Sequence, residues 1–219
     1  MELIAQDQLN IKKSGSCADT FAYVLAVVLV AWLIFLQLCS ISVTSGGSML
    51  NTISDGDVLI SYKTTNFDRG DVTTLWSTQA EKKLVKRVVG VPGDRLLFVK
   101  EGPYVYMYVN GNQVGEEYVT GRMLASFFVR RAMFQSGEYK LYEGEIPDVP
   151  DEYFITVKKD TYFILGDNRN DSLDSREYGL IDKKDFEGKV FCVIGGDTAV
   201  GKFFNLFVKN GNRTHRLRR

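Results

Sequence analysis

Histidine is nearly absent from this chain. The single one, His215, lies in a basic tail, 209–219. A Ser-His-Asp triad and a zinc site built on imidazoles therefore have almost nothing to stand on. Cysteine is sparse as well. Cys17, Cys39 and Cys192 are too few and too scattered for a disulfide framework and read as thiols, Cys192 as a small core residue. Neither sign of charge is in excess: 27 Lys and Arg face 27 Asp and Glu, so no global field draws the chain to nucleic acid. Nowhere does strand text alternate with helix text as βαβ units require, which excludes a parallel α/β fold.

Long apolar runs are absent too, with one exception. Residues 21–41 carry no charge and Gln37 is their only strongly polar side chain. At ~1.5 Å per residue such a run crosses a ~30 Å hydrocarbon layer. It is longer than the roughly 7–15 apolar residues of a cleaved signal peptide, so it reads as an uncleaved anchor. Lys12 and Lys13 precede it and no Lys or Arg follows until Lys63. This bias predicts a cytoplasmic N-terminus, 1–20, and a domain on the other side of the membrane. The remaining chain suffices for one well-buried domain but not comfortably for two.

That remainder, 42–208, reads as strands. Val58–Tyr62, Val72–Trp76 and Arg95–Val99 are short, β-branched or aromatic, and each follows a Gly-Asp pair that marks a turn. Leu84–Gly90, Tyr153–Val157, Thr161–Leu165 and Lys189–Ile194 have the same character, and Asn110-Gly111 predicts a tight primed hairpin turn. Residues 115–150 are the least patterned and read as an insertion. Met123–Phe134 within them fits either a partly packed, solvated segment or an amphipathic patch on a membrane surface. The aromatic residues near Phe203–Phe207 are too short a run to span, and the basic tail could touch anionic lipid. The expected fold is mostly β: an N-terminal transmembrane helix, then a single domain of antiparallel sheets.

Three islands depart from strand-and-turn text. Thr44-Ser45-Gly46-Gly47-Ser48-Met49 puts a serine on a glycine turn directly after the anchor. Lys86 stands among Leu84, Val85, Val88 and Val89. Gly166–Arg176 is dense in Asn, Asp, Arg and Ser after an apolar strand. Each has a bland reading: a flexible linker, a lysine pointing to water, a solvated loop. Together they offer chemistry. A serine needs a base to become a nucleophile, and a lysine stripped of its hydration is neutral near physiological pH and able to serve.

The three islands, in this order behind an anchor, resemble the motifs of type I signal peptidases, the membrane-anchored Ser-Lys proteases. Gly46-Gly47-Ser48-Met49 resembles the family's serine turn. Lys86-Arg87-Val88-Val89-Gly90-Val91-Pro92-Gly93-Asp94 resembles its lysine segment, and Gly166-Asp167-Asn168 through Ser172, Asp174, Ser175 and Arg176 its polar loop. The resemblance implies Ser48 as nucleophile and Lys86 as general base, with Ser172 orienting the amine and Asp174 with Arg176 bracing the loop. It also implies an oxyanion site at Gly47 and the Ser48 N–H, and substrate contact at Met49. No metal or cofactor is implied. The implied partners are signal-peptide-bearing preproteins and membrane lipid, with the substrate extended along a strand edge and small residues entering pockets before the cut. The single anchor resembles enzymes of Gram-positive bacteria, while a mitochondrial or plastid relative stays open. The sequence carries no signal of self-association.

Two departures stand out. Asn51 occupies a position that is usually proline in the family, which predicts a looser turn beyond the serine. Gly46 stands where some members carry a serine that donates a second hydrogen bond to the oxyanion, leaving Ser45 as a substitute. A substrate-restricted or non-catalytic relative, serving assembly of surface structures such as pili, is the alternative reading.

Overall fold

The computed structural model describes residues 17–119 and 121–202. The chain divides into two compact units, before and after the Leu38–Cys39 bond. The first is helix α1, Cys17–Leu38, long and apolar enough to cross a membrane, with none of its residues buried. The helix starts four residues before the apolar run 21–41 and ends three residues before it. Cys39, Ser40 and Ile41 belong instead to strand β1, Cys39–Val43. Their Ser and Ile alternation suits a strand edge, and Ile41 pairs opposite Ile60. The expected cytoplasmic segment 1–20 falls mostly outside the described residues; so do the aromatic residues 203–207 and the tail 209–219 with His215.

The second unit is built from antiparallel strands. After β1 come β2 (Val58–Tyr62), β3 (Val72–Ser77), β4 (Lys82–Gly90), β5 (Arg95–Glu101) and β6 (Tyr104–Val109). Then follow β7 (Asn112–Gln113), β8 (Met123–Leu124), β9 (Ile155–Thr156), β10 (Thr161–Leu165), β11 (Ile181–Asp182) and β12 (Phe186–Ile194). One sheet has the order β1-β2-β12-β3-β4-β10-β11 and the other β7-β6-β5-β9, with β8 also on β6.

The Gly-Asp pairs are a repeated turn. Gly56, Gly70 and Gly93 all take φ between 83° and 95°. The following Asp57, Asp71 and Asp94 carboxylates each accept the backbone N–H three residues earlier, from Ser54, Asp68 and Val91. The left-handed backbone explains the glycine, and the accepting carboxylate explains the aspartate. Asn110 and Gly111 both have positive φ, as a primed hairpin turn requires.

Segment 115–150 contributes to the core. It holds two one-turn helices, α2 (Ala125–Phe128) and α3 (Ala132–Gln135). Phe128 is fully buried and, with Phe134 and Tyr139, joins Phe98 of β5 and Phe163 of β10 in an aromatic cluster. Burying one such side chain contributes about 1.5–3 kcal/mol, which favours the packed reading of Met123–Phe134. Elsewhere Leu75, Leu84, Val88 and Ile164 form a second cluster, and Met49, Ile53 and Leu59 a third.

Candidate active site

Ser48 sits on the turn after β1, and Lys86 sits in β4. Strand β10 pairs with β4 only from Arg87 onward, while β3 covers the whole of Lys82–Arg87 on the other side. The edge of β4 from Lys82 to Lys86 is therefore open. The outer edge of β1 is open as well. These two edges and the serine turn wall a cleft of about 510 Å³.

At its end the Lys86 Nζ donates to Ser48 Oγ at 2.6 Å and to the Val85 carbonyl at 2.9 Å. Lys86 is 3% exposed. Burial strips the ammonium of water and pushes its pKa from 10.5 down to about 8; the Asp174 field pulls it partly back and the Lys82 charge lowers it further. No carboxylate touches the amine among the described residues.

The loop behind the pair is polar, yet each arginine in or against it has its own carboxylate. Arg176 makes two bonds to Asp174, at 2.8 and 2.7 Å. Burial alone raises the Asp174 pKa, but the Arg176 guanidinium and the Gly166 N–H outweigh it and hold the acid well below the usual carboxylate range. Arg87 makes two bonds to Asp167, at 2.8 and 2.6 Å, and lies over the Tyr118 ring. Arg169 makes two bonds to Glu116, one of them 2.6 Å long, and Tyr118 donates to the same carboxylate. Three cations meet three anions, and at the lysine desolvation outweighs the Asp174 charge that opposes it most.

Asp167 also accepts from Thr52 Oγ1 at 2.6 Å, tying the serine turn to the lysine strand through one carboxylate. Asn168 adds a second clamp: its N–H donates to the Ser48 carbonyl at 3.1 Å, and its Nδ2 to the Gly47 carbonyl at 3.1 Å. Beyond the serine, Leu50, Thr52 and Ile53 donate back to Gly47 and Met49, and Met49 is buried at 3% exposure. These bonds brace the turn on either side of Asn51. Gly166 is required by space: a Cβ there would lie 2.2 Å from Ser172 Oγ and 2.4 Å from the Ser48 carbonyl. Ser172 is buried beside the serine turn, and its hydroxyl, though it makes no bond of ordinary geometry, lies close enough to the Asp174 carboxylate to help hold that acid down.

The Ser48 backbone N–H has no hydrogen-bond partner among the described residues and is available to an oxyanion. The Gly46 N–H is not, since it donates to Asp55. Ser45 is exposed and lines the cleft. Of the residues named from the sequence, Ser48 and Lys86 touch, and Asp174 and Arg176 pair behind them. Sequence reasoning missed the clamp made by Asp167, Thr52 and Asn168, and the Glu116–Tyr118 cover.

A hydroxyl bonded to a desolvated amine beside two open strand edges has the equipment of a serine hydrolase acting on extended polypeptide. The family described as signal peptidase, peptidase S26, matches residues 17–194. Signal peptidase IB of Staphylococcus aureus is 32% identical over 151 residues, covering 66% of this chain and 72% of that protein. Signal peptidase I P of Bacillus subtilis subsp. natto is 28% identical over 182 residues, covering 81% and 88%. A crystal structure of a signal peptidase I from Enterococcus faecalis V583 covers 57% of this chain and 97% of its own, at 22% identity and a TM-score of 0.38. The chain belongs to the signal peptidase family, peptidase S26, on the sequence matches, and is a serine endopeptidase of that family.

Proposed function

We propose that the chain removes N-terminal signal peptides from exported preproteins through an acyl-enzyme formed on Ser48, with Lys86 as general base. The observation that carries this is the 2.6 Å bond between Lys86 Nζ and Ser48 Oγ at an amine whose pKa burial lowers to about 8. The neutral amine takes the hydroxyl proton as Oγ attacks the scissile carbonyl, and the Ser48 N–H receives the oxyanion. When the intermediate collapses, the C–N bond breaks and Lys86 returns the proton to the leaving amine. Water, deprotonated by Lys86 in turn, then releases the signal peptide from Ser48.

Ser172 orients the amine, and Asp174 with Arg176 holds the loop that carries Ser172. The substrate lies extended between the open edges of β1 and β4, adding main-chain hydrogen bonds to both, with Met49 in the floor of its pocket. Helix α1 anchors the enzyme in the membrane, with the N-terminus cytoplasmic and the strand domain outside by the lysine bias. Contact with anionic lipid by the tail belongs to this same reading. A non-catalytic assembly factor is the weaker reading, because a binder needs neither the amine nor its hydroxyl partner.

The test is cleavage of an exported preprotein by the detergent-solubilised chain beside Ser48→Ala and Lys86→Ala. Loss of roughly 10³-fold or more is expected in both, since the two groups act as a unit. Undiminished cleavage in either would overturn the assignment.

A further inference from the structure

Two polar groups in the cleft have no part in the chemistry just described. Ser42 of β1 lines it with a hydroxyl that is buried and has no hydrogen-bond partner. Lys82, the first residue of β4, lines it with an exposed side chain that forms no ion pair or hydrogen bond among the described residues. Its neighbour Lys83 differs, being paired with Glu187. Asp171 is the one carboxylate among the residues that line the cleft. Lys82 thus brings to the cleft a positive charge that forms no ion pair among the described residues, and Ser42 brings a hydroxyl without a hydrogen-bond partner.

Each step from β1 through β2, β12 and β3 to β4 is antiparallel, so β1 and β4 run in the same direction along the cleft. From Lys86 back to Lys82 the strand covers about 13 Å at ~3.3 Å per residue. The part of the substrate N-terminal to the cut stays attached to Ser48 as the acyl-enzyme after the leaving segment departs. The walled cleft is the surface able to hold it through deacylation.

We propose that the far end of the cleft, Lys82 with Ser42, is a subsite for an aspartate or glutamate side chain about four residues before the cut. The Lys82 ammonium supplies the charge, and the Ser42 hydroxyl donates to the same carboxylate. This rests on the peptidase reading above and adds a substrate preference to it.

The experiment compares peptides that are identical except for one residue, Asp, Gln or Lys, scanned across about three to six positions before a small-residue cut. The solubilised full chain and its Lys82→Glu and Ser42→Ala variants are assayed at low and high salt. Ratios of kcat/KM between peptides cancel any effect of a variant on the dyad itself. The wild-type chain is expected to favour Asp over Lys by about tenfold at one position, a preference that fades with salt. Lys82→Glu should invert the order and Ser42→Ala narrow it. Cleavage of the Gln peptide with no charge preference, or the same order in Lys82→Glu, overturns the subsite alone. Failure to cleave even the Gln peptide overturns the peptidase reading and the subsite with it.

Discussion

The arginines in and against the polar loop and the lysine they surround are buried cations treated in opposite ways. Arg87, Arg169 and Arg176 each meet a carboxylate through two hydrogen bonds. Lys86, buried beside them, is given a serine hydroxyl and a carbonyl instead, and its pKa falls to about 8. Guanidinium is the natural choice for the first task, because it stays charged and binds carboxylates in a fork; ammonium is the choice for the second, because it can lose its proton. The lesson is that the paired arginines make the unpaired lysine possible. They build a polar frame in which each carboxylate is bound to a guanidinium rather than to the amine, so Asp174 raises the Lys86 pKa by less than burial lowers it.

The sharpest way to break this comparison is to strand an arginine. Asp174→Asn leaves Arg176 fully buried and unpaired, and should destabilise the strand domain by about 3–5 kcal/mol. Chemical denaturation of the solubilised chain checks it; a change under ~1 kcal/mol would mean that the pair is not the frame described here.

A smaller effect comes from removing the lysine's burial cost. Because the folded pKa lies below the unfolded one, the protonated amine destabilises the fold fully below pH ~8, and the cost vanishes as pH rises through ~10.5, where both states are neutral. Lys86→Met should therefore be more stable than the parent at neutral pH by on the order of 3 kcal/mol. The difference should close between pH ~8 and ~10.5, and a difference constant across that window would contradict the desolvation argument.

Smallest in stability is Ser172→Ala. Its hydroxyl makes no bond of ordinary geometry and only a weak contact with the Asp174 carboxylate, so its loss should cost about 1 kcal/mol or less while slowing cleavage by roughly 10-fold or more. Equal losses of stability and rate would recast Ser172 as a packing residue.

Much of this was legible in the sequence, for local reasons. Short β-branched runs fenced by Gly-Asp pairs gave the strands, because the turn needs both a positive φ and an accepting carboxylate within four residues. Ser48 and Lys86 stood out as residue types out of place. The end of the helix was not legible, since apolar text runs unbroken from α1 into β1 and only pairing with β2 separates them. Nor were the partners of the arginines. Asp167 reaches Arg87 across 80 positions and Thr52 across 115, and Glu116 reaches Arg169 across 53. Nothing local marks such pairings, and Glu116 and Tyr118 looked like part of an unpatterned insertion.

The most direct test of the central claim is the pH dependence of kcat/KM for one preprotein or signal-peptide substrate, which reports the free enzyme's essential base. Activity requires the neutral amine, so the profile should rise with pH and reach half its maximum near pH 8, the value set by burial of Lys86. A rise delayed to ~10.4, the value of an ordinary solvated lysine, or a profile flat from neutral to alkaline pH, would contradict the account.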